Sequence, residues 1–108
     1  MEINKTLNEN TLTVTVSGRL NTLTAPQLEE EIKAIEPAVA CLVMDFADVP
    51  YISSAGLRVL LEAQKKMAKQ GKMVVRNVCE DVKEVLDITG FSDILTINCN
   101  STAVYLIK

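Results

Sequence analysis

One stretch of the chain decides its fold class, and it reads Cys41-Leu42-Val43-Met44-Asp45-Phe46-Ala47-Asp48-Val49-Pro50-Tyr51-Ile52-Ser53-Ser54-Ala55-Gly56-Leu57. The first six residues, Cys41–Phe46, are almost continuously apolar, as in a β-strand that is covered on both faces. A loop follows over residues 47–52, and the apolar spacing after it predicts a helix from about Ser54 to Gln70. A buried strand, a loop and an amphipathic helix in this order begin a β-α-β unit.

A second apolar strand, Lys72–Arg76, follows this helix. Gly71 separates the two and is a natural helix C-cap. Because a helical crossover joins parallel strands, Cys41–Phe46 and Lys72–Arg76 are expected to lie side by side in the centre of a sheet. The helix is expected to cover that sheet with an apolar stripe, formed by Leu57, Leu60, Leu61 and Met67.

Further segments extend this unit on both sides. The alternating residues Thr11–Ser17 and the weaker Glu2–Leu7 predict a hairpin, and Thr24 with Gln27 fits the cap of a first helix that Pro37 stops. A short helix, a strand and a C-terminal helix, the last of which also fits an extended segment, are predicted over Glu80–Thr89, Ile94–Ile97 and Ser101–Ile107. The sequence therefore predicts an α/β fold with a mixed sheet, parallel central strands and four helices.

Length and composition limit the classes of function. The chain has 108 residues, so one domain over residues 1–108 is expected, and its apolar fraction of 48% suffices for one core. The formal net charge of −3 argues against nonspecific binding to nucleic acid or to an anionic membrane. No apolar stretch approaches the ~18 residues of a transmembrane helix, and the first residues lack a signal-peptide pattern. No direct membrane insertion is expected.

The available residue types exclude much catalytic chemistry. The chain has no histidine, which removes Ser-His and Cys-His pairs and histidine metal ligands. Cys41, Cys79 and Cys99 have no C-x-x-C spacing, which favours reduced, largely buried thiols in a cytoplasm over a zinc site or a redox pair. We therefore expect no enzyme, no metal and no cofactor. A weak enzyme that uses carboxylates or lysines, or a small-ligand binder, stays open as a minor alternative.

The candidate site is the pair Ser53 and Ser54, between the end of a buried strand and the start of a helix. Ligands and partners of α/β sheets usually bind there, and unpaired N–H groups of the first helical turn favour a phosphate. Gly56 has no side chain to block a close approach, although it also fits plain packing of the helix on the sheet. A serine before a helix is also an ordinary N-cap. Without histidine or a Gly-x-Ser-x-Gly motif, Ser54 is not expected to be a nucleophile.

The motifs around these serines resemble a known family. Tyr51–Leu61, with Val43–Phe46 before it, resembles the signature of STAS domains of the bacterial anti-sigma-factor antagonist type. The likeness extends in the right order over nearly the whole chain, through Val16–Asn21, Gly71–Val75, Val82–Leu86 and Thr89–Phe91.

The resemblance implies a function by protein binding. Such an antagonist binds an anti-sigma factor, often itself a serine kinase, and so frees a sigma factor. The kinase phosphorylates the antagonist and ends the interaction, and a PP2C-type phosphatase restores it. The family's phosphoacceptor stands two residues before the motif glycine, which is Ser54 here. The neighbouring Ser53 is a competing acceptor. Ser53 and Asn21 both stand where the family often has aspartate.

The loop and the start of the first helix together predict a docking surface. We expect an apolar rim around small residues, which suits protein binding. The predicted partner-binding residues are Leu20, Asn21, Leu23, Val49, Tyr51, Ile52, Ser53, Ser54, Ala55 and Gly56. Tyr51 and Ile52 could instead pack under the loop. The competing function is a constitutive STAS scaffold subunit of a transporter or signalling complex, without serine phosphorylation.

Overall fold

In a computed structural model, which describes residues 2–99, the chain begins with an antiparallel hairpin. Its strands are β1 (Glu2–Asn8) and β2 (Thr11–Ser17). Helices and strands then alternate, in the order α1 (Ala25–Lys33), β3 (Cys41–Asp48), α2 (Ser54–Ala68), β4 (Lys72–Val78), α3 (Glu80–Ile88), a short 3-10 helix (Phe91–Asp93) and β5 (Thr96–Cys99).

The five strands form one mixed sheet in the order β1-β2-β3-β4-β5, in which β2, β3, β4 and β5 are mutually parallel. Cys41 pairs with Lys72 and Asp45 with Arg76, so β3 and β4 are adjacent in the centre. This confirms the predicted fold class. Each crossover moves one strand in the same direction, and crossovers of the usual right hand then place α1, α2 and α3 on one face of the sheet.

One face of β3 is buried and the other is half-open. Leu42, Met44 and Phe46 are fully buried, whereas the residues between them are only partly buried. Within the described part of the chain, β3 is therefore covered on one face only, and the prediction that both of its faces are covered is wrong. The reason is visible in side-chain size, because the bulky residues of β3 alternate with the smaller Cys41 and Val43 and with Asp45. The nearly continuous apolar sequence therefore concealed an alternation of buried and partly buried side chains with a period of two residues.

The apolar stripe of α2 differs from the predicted one at one residue. Leu57, Leu60 and Met67 are buried, but Leu61 is only half-buried. Successive helical residues point about 100° apart, so Leu61 lies at the border of the stripe that Leu60 centres. Val59 and Ala63 of this helix are also buried, although neither was predicted to be.

Gly71 acts through close packing rather than as a helix cap. The C-cap of α2 is Lys69, and among the described glycines only Gly18 and Gly90 have a positive φ. A Cβ on Gly71 would lie 1.8 Å from the carbonyl oxygen of Ala40. The turn between α2 and β4 thus passes against the segment that precedes β3.

The remaining differences are at element ends. β5 begins at Thr96 rather than Ile94, because the 3-10 helix occupies the preceding residues.

Cys41 and Cys79 are free and half-buried rather than buried. The predicted helix Ser101–Ile107 and the Cys99 side chain lie outside the described residues. None of the helices found between residues 2 and 99 is long and apolar enough to cross a membrane.

Candidate functional site

Two segments that are distant in sequence meet at the end of β2 and β3 where the candidate serines lie. Leu20 and Ile52 form an isolated parallel bridge. Leu20 N donates to Tyr51 O at 3.0 Å, and Ser53 N donates to Leu20 O at 2.8 Å. We call this unit, residues 19–24 and 49–56, the serine edge.

The two serines have different surroundings at the start of α2. Ser53 is the N-cap, with extended backbone angles, and its Oγ accepts a hydrogen bond from Gly56 N at 3.5 Å. Ser54 is the first helical residue and is exposed. Its hydroxyl makes no hydrogen bond to any residue between 2 and 99. The ordinary explanation of a serine before a helix therefore accounts for Ser53 and leaves Ser54 without a structural role.

Gly56 lets the first turn of α2 pack directly against Leu20 and Ile52. A Cβ at this position would lie 2.7 Å from Ile52 Cγ1 and 2.7 Å from Leu20 Cγ. Gly56 is buried, and Ala55 is half-buried. Of the two explanations for this glycine, the structure supports close helix packing, which sets the distance between α2 and the Leu20 segment.

Three of the predicted rim residues lie in the core. Leu20, Val49 and Ile52 expose 0%, 1% and 2% of their surface. The prediction of an exposed apolar rim is wrong for Leu20 and Val49, whereas for Ile52 the alternative of packing under the loop is confirmed. All three residues fill the space beneath the loop and join the main hydrophobic cluster. The large apolar side chains that the serine edge exposes are Leu23 and Tyr51, at 84% and 42%. A docking partner would meet these two side chains and Ser54.

Arg19 is a site residue that the sequence reading missed. Its guanidinium carbon lies 4.8 Å from the centroid of the Tyr51 ring, which is a cation–π contact. The bridge between Leu20 and Ile52 brings these two exposed residues side by side. No local pattern signals the pair, because it depends on the register between two distant segments.

Asn21 shapes the turn that presents Leu23. Its Oδ1 accepts hydrogen bonds from Leu23 N at 2.9 Å and from Thr24 N at 3.1 Å. Thr24 is the N-cap residue of α1, as predicted, but its hydroxyl donates to Arg19 O at 2.7 Å and makes no cap bond, so the predicted side-chain cap is wrong. Asn21 forms the turn with an oxygen that an aspartate would also offer. The neutral residue therefore changes the charge of the serine edge and keeps the turn.

The carboxylate of Asp45 joins the ends of β3 and β4. Its Oδ1 accepts hydrogen bonds from Ala47 N at 3.0 Å and from Asn77 Nδ2 at 3.2 Å. Its Oδ2 accepts one from Arg76 Nε at 3.2 Å, which is also an ion pair. Partial burial alone raises the pKa of Asp45, but the hydrogen bonds and the Arg76 charge outweigh it and hold the pKa below its ordinary value.

Asp45→Asn should destabilise the protein near pH 7 by about 1 kcal/mol, because it removes a charged acceptor from these bonds. A lowered pKa stabilises the fold above the unfolded-state value and ceases to do so as pH falls through the folded-state value. The stability difference between wild type and Asp45→Asn should therefore shrink as pH falls below 3.8, the ordinary pKa of an aspartate. Denaturant unfolding from pH 7 to pH 3 measures this difference. Asp93→Asn, at an exposed carboxylate, is the control, and a loss that stays constant over this range would contradict the assignment.

The fold and the serine edge together define a small α/β domain with an exposed serine at the start of its second helix. The chain matches the STAS domain family over residues 2–103 and belongs to that family. The prediction made from the motifs is confirmed at the level of the family.

Individual relatives are similar over most of the chain. The anti-sigma-B factor antagonist of Bacillus subtilis is 34% identical over 95 residues, which cover 87% of each protein. The crystal structure of an anti-sigma factor antagonist from Mycobacterium paratuberculosis has a TM-score of 0.79 and 25% identity, over 90% of this chain and 84% of that one. Phosphorylated SpoIIAA of Bacillus has a TM-score of 0.70 over 99% of this chain and 100% of that one. Its 15% identity makes this a likeness of fold alone.

Proposed function

We propose that this protein is an anti-sigma-factor antagonist, which binds an anti-sigma factor and so frees a sigma factor. Its membership in the STAS family and the names of its curated relatives support this function. The surface that binds is the exposed part of the serine edge, in which Arg19, Leu23, Tyr51 and Ser54 are the residues that a partner would contact. The protein acts in the cytoplasm, where sigma factors and their regulators meet, and it performs no catalytic step of its own.

We propose Ser54 as the phosphoacceptor, and one observation carries this assignment. The Ser54 hydroxyl is exposed and unengaged within residues 2–99, whereas the Ser53 hydroxyl serves as the cap of α2. A phosphate on the first helical residue would meet unpaired N–H groups and the positive end of the helix dipole. The anti-sigma factor, acting as a serine kinase, transfers the γ-phosphoryl group of ATP to the Ser54 hydroxyl and releases ADP. A PP2C-type phosphatase removes the phosphate by hydrolysis.

The phosphate would switch binding through its charge. It adds about −1.5 to −2 at neutral pH, beside the exposed apolar side chains of Leu23 and Tyr51. A partner that packs on these side chains would have to bury that charge. An uncompensated buried charge costs several kcal/mol.

A constitutive STAS scaffold subunit of a transporter or signalling complex is the second candidate. The neutral residues Ser53 and Asn21 favour it, because they stand where antagonists often carry aspartate. The names of the curated relatives favour the antagonist.

The two candidates predict different results with the anti-sigma factor and ATP. We expect one phosphate, placed on Ser54 by fragmentation of the modified peptide in a mass spectrometer. Ser54→Ala should abolish the modification. Ser53→Ala, the matched control, should keep it while losing about 1 kcal/mol of stability with the cap. Phosphate on Ser53 would contradict the assignment, and its absence from both serines would favour the scaffold.

A further inference from the structure

We propose that Asn77 is a positioning residue for the serine edge. It holds the loop before α2, residues 49–53, in the place from which the serine edge binds its partner. This inference rests on the proposed function, because it concerns the same binding surface. It assigns a role to a residue whose side-chain hydrogen bond goes to Asp45 and not to the candidate serines.

The side chain of Asn77 reaches the strand that leads into this loop. Its Nδ2 donates to Asp45 Oδ1 at 3.2 Å, and the same oxygen accepts the hydrogen bond from Ala47 N at 3.0 Å. One carboxylate oxygen thus links β4 to the backbone at the end of β3. Both Asn77 and Asp45 are partly buried, so water competes only weakly for the bond.

A second contact from the same connection reaches the loop itself. Cys79 Sγ donates to Val49 O at 3.6 Å. On the opposite side, Gly18 N donates to Asp48 O at 2.9 Å and Ser53 N donates to Leu20 O at 2.8 Å. The loop is therefore held between two neighbours. The end of β2 fixes one side, and the connection between β4 and α3 fixes the other.

The backbone at Asn77 shows why its side chain matters. Asn77 has a φ of +58°, and the pairing of β4 with β5 shifts register between Val75 and Val78. Glycine adopts a positive φ without steric cost, and asparagine tolerates it better than most residues. If the bulge alone were needed, glycine would serve better. What asparagine adds is the amide that bonds to Asp45.

The expected effect on binding follows from the population of the binding-competent loop. A partner binds the arrangement that presents Tyr51 and Ser54 together, and its apparent affinity falls in proportion to the fraction of molecules in that arrangement. Loss of the Asn77 amide removes one of the two contacts on this side of the loop, leaves only that of Cys79 Sγ to Val49 O, and lowers this fraction. A variant that removes the amide and relieves the backbone separates this effect from a loss of fold stability.

Asn77→Gly is that variant, tested by calorimetry with the unphosphorylated protein and its anti-sigma factor. We expect binding about three- to tenfold weaker, in keeping with the loss of one partly buried hydrogen bond, and a melting temperature no lower than wild type. The matched control is Glu9→Gly, since Glu9 has a φ of +59° and lies in the β1–β2 turn at the opposite end of the sheet. It should bind as wild type. The double variant Asp45→Asn/Asn77→Asp swaps the two side chains and so restores an amide donor and a carboxylate acceptor between these positions. It should bind more tightly than Asp45→Asn alone.

Amide hydrogen exchange supplies a readout that needs no partner. We expect the hydrogen-bonded amides of Val49 and Ser53 to exchange faster in Asn77→Gly and at the wild-type rate in Glu9→Gly. Wild-type exchange at both amides, or equal affinity of wild type and Asn77→Gly, would overturn the positioning role. If the wild-type protein fails to bind an anti-sigma factor while Asn77→Gly accelerates this exchange, the proposed function falls and the role of Asn77 in holding the loop stands.

Discussion

Phosphorylation of Ser54 should weaken binding to the anti-sigma factor by roughly a hundredfold or more, which corresponds to about 2.8 kcal/mol. Ser54 is exposed at the first position of α2, beside the apolar side chains that a partner would cover. The N–H groups of the first turn would stabilise the phosphate in the free protein. Burial against an apolar partner surface would remove the water that solvates the rest of the phosphate charge, and this loss of hydration opposes binding.

Substitutions at Ser54 should separate charge from fold. Ser54→Asp should fold normally, because a carboxylate is favourable at a helix N-terminus. It should weaken binding less than phosphate does, having one charge and two oxygens. Ser54→Ala should bind as wild type and melt within a few degrees of it, since Ser53 rather than Ser54 caps the helix.

Calorimetry on wild type, both variants and enzymatically phosphorylated protein tests this prediction, with thermal melts to establish that each is folded. If phosphorylated and unmodified protein bind with equal affinity, charge at Ser54 is not the switch. The constitutive scaffold would then be the better description.

Leu60→Ala should lower the free energy of unfolding by about 2–5 kcal/mol, the usual cost of emptying a fully buried leucine site. Leu60 has 0% exposure at the centre of the buried stripe of α2. Its neighbour Leu61 is only half-buried, so Leu61→Ala is the matched control and should cost about 1 kcal/mol. Denaturant unfolding measures both. Equal losses would mean that α2 is rotated relative to the sheet.

The fold was predictable because its signals are local. Thr11–Ser17 alternates cleanly, and Gly71 divides a helical pattern from an apolar strand. Those patterns predicted the order of the elements, and the crossover rule then placed β3 beside β4. The one-sided burial of β3 was not predicted, because Cys41 and Val43 are apolar although they point to the half-open face. Polarity alone does not reveal which face a helix covers.

The candidate site was predicted less completely, for physical reasons that differ between residues. Leu20 and Ile52 look like surface anchors in a loop, and only their bridge shows that they fill the core. Ser53 and Ser54 are equivalent by cap preference, and a difference of one residue in the helix start decides between them. The positive φ of Asn77 arises from a bulge between two strands. No window of sequence contains that information.

The packing of Gly56 has a consequence for how such proteins diversify. With no room for a Cβ between Leu20 and Ile52, the spacing of the two segments is set inside the protein and not by the residues that a partner reads. Leu23 and Tyr51 are exposed, so they can change without repacking the core, although a change at Tyr51 removes its contact with Arg19. Duplicated copies of such a gene can therefore acquire separate partners through these two positions while the acceptor serine keeps its geometry. Surface substitutions alone would then limit the binding of one copy to the partner of another, at little cost in folding stability.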